Sequence, residues 1–180
     1  FMGVTFAKLW QRLFTSKQYK LCIIGLDNAG KTSLLYKLHL GDVVVTQPTI
    51  GSNVEEITYK NIRFECWDLG GQESLRSTWS SYFLNTDGVI LVVDSTDRER
   101  APIVRAELGK LLLNEELKQA CILVFANKQD LREAMTAAEI SEHLQLHAIR
   151  THEWHIQACC ALTGEGMEGG LDWLSRRIQA

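Results

Sequence analysis

The chain has 180 residues, of which 46% are hydrophobic, and this length indicates one domain with one well-buried core. Its formal net charge of −3, from 19 basic and 22 acidic residues, lacks the positive excess typical of nucleic-acid-binding proteins, so we expect no nucleic-acid partner. Five cysteines without paired spacing or a secretory leader, and apolar runs shorter than the roughly 20 residues of a membrane span, favour a reduced, cytosolic setting.

The amino-terminal segment, residues 1–16, has the pattern of an amphipathic helix. Apolar residues recur at i, i+3, i+4, i+7 and i+8, and they are Phe6, Leu9, Trp10, Leu13 and Phe14. Such a face can lie in a membrane interface or in a groove, and permanent packing on the core is the open alternative. Gly3 resembles the start of an N-myristoylation signal, although Ala7 replaces the usual Ser or Thr. The modification requires a native start that exposes Gly3 as the amino terminus.

From residue 17 to residue 180, short apolar runs alternate with longer amphipathic segments. The runs of strand length are residues 19–24, 54–59, 62–67, 89–93, 122–126 and 155–159. The helical segments are residues 31–39, 74–84, 98–113, 136–144 and 167–178. This alternation predicts an α/β domain with a mostly parallel six-stranded sheet and helices on both faces. Only Lys60 and Asn61 separate two of the runs, which predicts a hairpin and one antiparallel edge.

The loop after the first predicted strand reads GLDNAGKT at residues 25–32, a G-x-x-x-x-G-K-[ST] pattern between a strand and a helix. Its glycines let the backbone N–H groups and the helix amino terminus face an anion. Lys31 would place a positive charge on the β- and γ-phosphates of a nucleotide, and the Thr32 hydroxyl would bind Mg²⁺. A glycine turn before an ordinary helix is the alternative. The candidate phosphate-binding residues are Gly25, Asp27, Asn28, Ala29, Gly30, Lys31, Thr32 and Ser33.

The segment WDLGGQE, residues 67–73, follows the third predicted strand. Asp68 is expected to hold Mg²⁺ through water, since Mg²⁺ keeps several waters in its octahedral shell. Gly70 and its neighbour Gly71 would present backbone N–H groups to a γ-phosphate. The Gln72 amide both donates and accepts hydrogen bonds, which suits it to orienting an attacking water as the catalytic residue. A solvent-facing loop glutamine is the alternative.

The tetrapeptide NKQD, residues 127–130, follows another predicted strand and would read the base. The Asp130 carboxylate can accept from N1–H and the exocyclic amino group of guanine, and a site built this way rejects adenine by roughly 10⁴ to 10⁵. Asn127 would tie this loop to the phosphate loop, and the Lys128 stem would pack along the nucleotide. A backbone N–H after the last strand would meet the guanine O6, in the segment Cys160, Ala161 and Leu162. An exposed charged turn is the alternative for NKQD.

In this order, the motifs resemble those of small GTPases over nearly the whole chain. Three features resemble the Arf family. They are the sequence of the phosphate loop, the two consecutive glycines after the third strand and the lack of a carboxyl-terminal prenylation cysteine. The resemblance implies the P-loop small-GTPase fold, GTP and GDP as ligands, Mg²⁺ as cofactor and slow GTP hydrolysis. It also implies that Thr49, which the sequence alone leaves as a turn residue or a ligand, is a second Mg²⁺ hydroxyl ligand.

The same resemblance implies a set of partners and a location. They are a guanine-nucleotide exchange factor, a GTPase-activating protein that supplies an arginine, and membrane-traffic effectors that meet a monomer on the cytoplasmic face of the Golgi. Ser52 stands where Arf proteins carry phenylalanine, which leaves Trp67 and Tyr82 as apolar anchors for effectors. A P-loop kinase remains open but leaves NKQD unexplained, and a nucleotide-stabilised binding module with negligible turnover is the second alternative. The charged run at residues 97–100 is interpreted as a helix start with solvated charges.

Overall fold

The computed structural model describes residues 17–40, 49–60 and 62–180. The predicted amphipathic helix and Gly3 lie outside these residues, so the division at residue 17 stays a prediction. The described chain forms the strands β1 (Gln18–Ile24), β2 (Ser52–Tyr59), β3 (Ile62–Leu69), β4 (Gly88–Asp94), β5 (Cys121–Asn127) and β6 (Trp154–Ala158). Their order in the sheet is β2-β3-β1-β4-β5-β6. β2 is antiparallel to β3 and the other pairs are parallel, so the predicted mixed sheet is confirmed.

The described α-helices are α1 (Lys31–Leu40), α2 (Glu73–Arg76), α3 (Ala101–Leu112), α4 (Ala137–Leu144) and α5 (Met167–Gln179). Short 3₁₀ helices cover Trp79–Tyr82, Glu115–Leu117 and Leu146–Ala148. The single helix predicted over residues 74–84 is wrong. α2 buries none of its residues, whereas Trp79 is buried and its indole N–H donates to the Gly70 carbonyl at 2.9 Å. The buried indole of Trp79 is thus held by a carbonyl outside the segment, and the chain forms a short α-helix followed by a 3₁₀ helix instead of one long helix.

The central strands are buried on both faces of the sheet. Every residue of β5 is buried, as are all but the last residue of β4. α3 and α4 pack on one face through residues such as Leu108 and Leu144, and α1 and α5 pack on the other through Leu34 and Leu171. Continuous apolar strands suit a parallel sheet covered by helices. The loops that follow β1, β3, β4, β5 and β6 therefore meet at one edge, where ligands bind in open α/β sheets.

All five cysteines are buried and free of disulfide bonds. Burial raises the pKa of the thiols of Cys66, Cys121 and Cys159 to about 12, and it also raises the pKa of Cys22. These side chains therefore act as small apolar core groups. Within the described residues, the helices are too short or too polar to cross a membrane.

Candidate functional site

A cavity of about 400 Å³ opens at the carboxyl edge of the sheet. All of its lining residues belong to the site predicted from the sequence. They are Asp27, Asn28, Gly30, Lys31, Thr32, Ser33, Thr49, Gly71, Gln72 and Lys128. The folding of β1, α1 and the loop after β3 thus brings the predicted phosphate, metal and water residues to one place. The predicted residues that do not form its wall are Gly25, Ala29, Asp68, Gly70, Asn127, Asp130, Cys160, Ala161 and Leu162.

The phosphate loop joins β1 to α1, which begins at Lys31. Gly30 has a positive φ of 95°, and a Cβ there would lie 2.5 Å from the Asn127 amide nitrogen, so a glycine is needed. The Lys31 ammonium is buried and donates to the Leu26 carbonyl at 2.8 Å. Burial lowers its pKa to about 8. An anionic phosphate in the cavity would stabilise this desolvated positive charge.

The three predicted Mg²⁺ ligands lie together beside the cavity. The Thr32 hydroxyl donates to Asp68 Oδ2 at 2.5 Å, and the Thr49 hydroxyl lies 2.9 Å from Thr32 Oγ1 and 3.3 Å from Asp68 Oδ2. Asp68 is fully buried, and its Oδ1 has no hydrogen-bond partner among the described residues. Burial raises the pKa of this carboxyl, although hydrogen bonds from Thr32 and Thr49 oppose the rise.

This group of oxygens fits Mg²⁺. The ion takes hard oxygen ligands and binds through one or two carboxylates together with substrate phosphates and water. A buried oxygen without a hydrogen-bond partner, such as Asp68 Oδ1, is costly, and a cation with its water shell would satisfy it. Thr32, Thr49 and Asp68 would hold the ion, which would neutralise phosphate charge during hydrolysis.

Thr32→Asn is expected to weaken GTP binding about tenfold more than GDP binding. The change removes the hydroxyl at the centre of the Asp68 and Thr49 cluster, and a Mg²⁺ ion held there would neutralise the additional negative charge of the triphosphate. Titration of fluorescent GDP and a non-hydrolysable GTP analogue at saturating Mg²⁺ measures both affinities. Thr58→Asn, on the exposed face of β2, is the matched control. Equal losses for the two nucleotides would show that Thr32 has no such differential role.

The double glycine lies against the phosphate loop. The Gly71 carbonyl accepts from the Asp27 N–H at 3.1 Å, and a Cβ on Gly71 would lie 2.5 Å from that nitrogen. The Gly70 N–H donates to the Gly51 carbonyl at 3.0 Å. The Gly70 N–H, which was predicted to bind a γ-phosphate, therefore points to the loop before β2 and not into the cavity. Gln72 is exposed, precedes α2 and lines the cavity.

Asn127 ties three loops together from the end of β5. It is 2% exposed, its amide N–H donates to the Ala29 carbonyl at 2.9 Å, and its side-chain oxygen accepts from the Ala161 N–H at 2.9 Å. Lys128 donates to the Asn28 carbonyl and to Asp94 Oδ2, both at 2.7 Å. Burial would raise the pKa of Asp94, but hydrogen bonds that include this one hold it below its ordinary value.

The base-reading residues lie next to one another beyond the phosphate cavity. The Cys160 thiol donates to Asp130 Oδ1 at 3.4 Å. Ala161 is buried, whereas Leu162 is 55% exposed. The Asp130 carboxylate thus lies beside the last loop, whose Ala161 N–H is bonded to Asn127.

Arg100 is a residue of this site that the sequence analysis missed. Its guanidinium donates to Asp27 Oδ1 at 2.8 Å and to the Asp27 carbonyl at 3.1 Å. The interpretation of residues 97–100 as solvated charges is therefore wrong for Arg100, and for Asp97, which bonds to it at 2.6 Å. The position of Arg100 in the chain could have indicated this contact. Arg100 lies in the loop after β4, and β4 pairs with β1, which ends just before the phosphate loop.

Comparisons with known proteins agree with the motifs. Residues 5–178 match the model of the ADP-ribosylation factor family. The chain is 58% identical over 178 residues to ADP-ribosylation factor-like protein 5A of Homo sapiens, which covers 99% of each chain. It is 57% identical over 173 residues to ADP-ribosylation factor-like protein 5 of Dictyostelium discoideum, with 96% of this chain and 94% of that protein covered.

A solved structure is similar throughout the fold. The Arl6 BBS3 small GTPase from Trypanosoma brucei, with the bound nucleotide analogue GppNp, superposes with a TM-score of 0.84 at 33% identity. The match covers 91% of this chain and 98% of that one. The family model spans almost the whole chain, so the predicted membership is confirmed. The chain belongs to the ADP-ribosylation factor family, and it is a small GTPase whose ligands are GTP and GDP with Mg²⁺.

Proposed function

We propose that this GTPase is a switch that recruits effectors in Golgi-associated membrane traffic, moving between the cytosol and the cytoplasmic face of Golgi membranes. The observation that supports the switch is the pair of loops that flank the β2–β3 hairpin at its open end, where Ser52 pairs with Leu69. Thr49 precedes β2 and Gly70 follows β3, and the Gly70 N–H donates to the Gly51 carbonyl at 3.0 Å. A ligand that draws Thr49 and Gly70 towards a γ-phosphate would therefore move the hairpin.

We further propose that GTP hydrolysis is slow unless a partner protein stimulates it. Gln72 lies on the cavity wall, where its amide can orient a water molecule, but none of the described residues that line the cavity is an arginine. A GTPase-activating protein would supply an arginine to stabilise the charge of the transition state. The presence of Gln72 on the wall favours this proposal over a binding module with negligible turnover.

Members of the Arf family interact with exchange factors, activating proteins and effectors, and this chain would meet them as a monomer. Full-length similarity to ADP-ribosylation factor-like protein 5A supports carrying the Golgi role over from the family. Trp67 and Tyr82 pack with ring centroids 5.7 Å apart, and Lys20 lies 5.0 Å from the Trp67 ring. This partly buried aromatic pair would anchor an effector where Ser52 offers no aromatic group.

Membrane binding would depend on residues 1–16 and on a myristoyl group at Gly3, both outside the described residues. A single myristoyl chain binds membranes with K of only about 10⁴ M⁻¹, so a second anchor is needed. In this proposal GTP binding shifts the hairpin, closes the groove that holds the amphipathic segment and releases its apolar face. Nucleotide state then controls residence on the membrane.

Native-start, myristoylated protein loaded with a non-hydrolysable GTP analogue is expected to float with liposomes about tenfold more than the GDP form. A variant with Leu9, Trp10 and Leu13 changed to alanine should lose this difference, because it lacks the apolar face. Gln11→Ala, on the polar face, is the control and should behave as wild type. Equal flotation in the two nucleotide states, or an unaffected triple variant, would reject the switch. Fluorescence microscopy of the tagged protein against a Golgi marker tests the location separately.

A further inference from the structure

The phosphate loop is held from outside by three side chains that bind three successive carbonyl groups. The carbonyl oxygens of Asp27, Asn28 and Ala29 accept from Arg100, Lys128 and Asn127 at 3.1, 2.7 and 2.9 Å. Two of the donors belong to the base-reading loop. The third, Arg100, comes from the separate loop between β4 and α3, which contacts no predicted base-reading residue through this side chain.

The Arg100 guanidinium is fixed on two sides. It reaches both the carboxylate and the carbonyl of Asp27, and its Nε donates to Asp97 Oδ2 at 2.6 Å. The Arg100 backbone N–H also donates to Asp97, at 3.2 Å. The side chain is 31% exposed. Exposed ion pairs contribute little to stability, but a rigid, forked guanidinium that satisfies several acceptors loses less freedom for each bond that it makes.

The consequence for the nucleotide follows from peptide geometry. In a trans peptide the N–H points away from the carbonyl of the same unit, so fixing the Asp27 carbonyl also fixes the direction of the Asn28 N–H. Asn28 lines the cavity and has a positive φ of 62°, an uncommon conformation that its surroundings must hold. Backbone N–H groups in this loop are the donors that hold phosphate. A loop fixed before binding spends less free energy on ordering when the ligand arrives.

We propose that Arg100 is a positioning residue of the nucleotide site, which holds Asp27 and so keeps the phosphate loop in its binding conformation. Arg100 contacts the loop through Asp27 and does not line the cavity. Its removal lets the loop relax and speeds the release of bound nucleotide. The proposal rests only on guanine-nucleotide binding, so it stands or falls independently of the Golgi and membrane proposals.

Full-length protein loaded with fluorescent GDP, chased with excess GTP at saturating Mg²⁺, gives the release rate. Arg100→Ala is expected to release GDP about tenfold faster, because charge-assisted hydrogen bonds to the loop are lost. Arg100→Lys should fall between this variant and wild type, since one ammonium cannot span three acceptors. Arg105→Ala is the matched control, because this arginine lies on α3, is exposed and donates to Gln145. It should release GDP at the wild-type rate.

Three further measurements distinguish the positioning role of Arg100 from a general loss of protein stability. The association rate should change little, while circular dichroism at the assay temperature should show the same folded signal. Asp27→Asn should speed GDP release less than Arg100→Ala does. The release rate of the double variant should rise by less than the product of the two single increases, because the residues act together. Wild-type release from Arg100→Ala, or equal acceleration in Arg105→Ala, would overturn the proposal. If Arg100→Ala does not fold, the release rates of Arg100→Lys and Asp97→Asn test the proposal instead. Release of GDP at the wild-type rate from both of these variants would overturn it.

Discussion

Asp130→Asn is expected to turn the site from guanine to xanthine nucleotides. The carboxylate accepts from N1–H and the 2-amino group of guanine, whereas an amide presents one acceptor and one donor, and the donor suits the 2-oxo group of xanthine. Loss of a matched pair in a recognition site changes selectivity by roughly 10⁴. GTP and GDP should bind weakly to the variant, and XTP should become the better ligand.

Competition of GTP, XTP and ATP against a fluorescent nucleotide measures this reversal. Glu133→Gln is the control, because it removes one negative charge from an exposed side chain three residues further along. It should keep the wild-type order of ligands. Unchanged guanine selectivity in Asp130→Asn would remove Asp130 from the base-reading site.

Gln72→Leu is expected to slow partner-stimulated GTP hydrolysis by about 10²- to 10³-fold, the usual cost of losing one oriented polar group at a reacting centre. Leucine fills the same space but cannot orient water. The affinity for GTP should stay nearly the same, because Gln72 is exposed and its side chain makes no capping hydrogen bond to α2.

Single-turnover hydrolysis of bound GTP, with and without cell extract, checks this expectation. Gln119→Leu makes the same substitution at an exposed position and should keep the stimulated rate. A Gln72→Leu protein that turns over like wild type with extract would show that another group positions the nucleophile. A wild-type protein that shows no turnover with extract would favour the binding module.

The sheet could be predicted because its signal is local. The run at residues 89–93 became β4 (Gly88–Asp94), and the run at residues 122–126 became β5 (Cys121–Asn127), since a strand buried on both faces must be apolar throughout. The segment at residues 74–84 failed because its apolar residues have helical spacing, yet the partner of the Trp79 indole is a carbonyl outside the segment. Spacing alone cannot reveal that partner.

The candidate site shows the same division between local and distant information. Residues of the phosphate loop could be proposed because the N–H groups that hold an anion follow one another along the chain. The contact of Arg100 with Asp27 joins residues 73 positions apart, and it exists only because the sheet places β4 beside β1. The Gly70 N–H could be proposed as a phosphate donor, but its bond to Gly51 depends on how two loops meet.

The burial of the cysteines also decides how this protein responds to oxidation. Peroxide and disulfides react with the thiolate, not with the protonated thiol. Burial raises the pKa of Cys66, Cys121 and Cys159 to about 12, so these thiols stay protonated near pH 7. Cys159 also lies beside Asn127, where its thiol donates to the side-chain oxygen at 3.7 Å. Burial thus keeps the Cys159 thiol protonated and poorly reactive towards peroxide and disulfides.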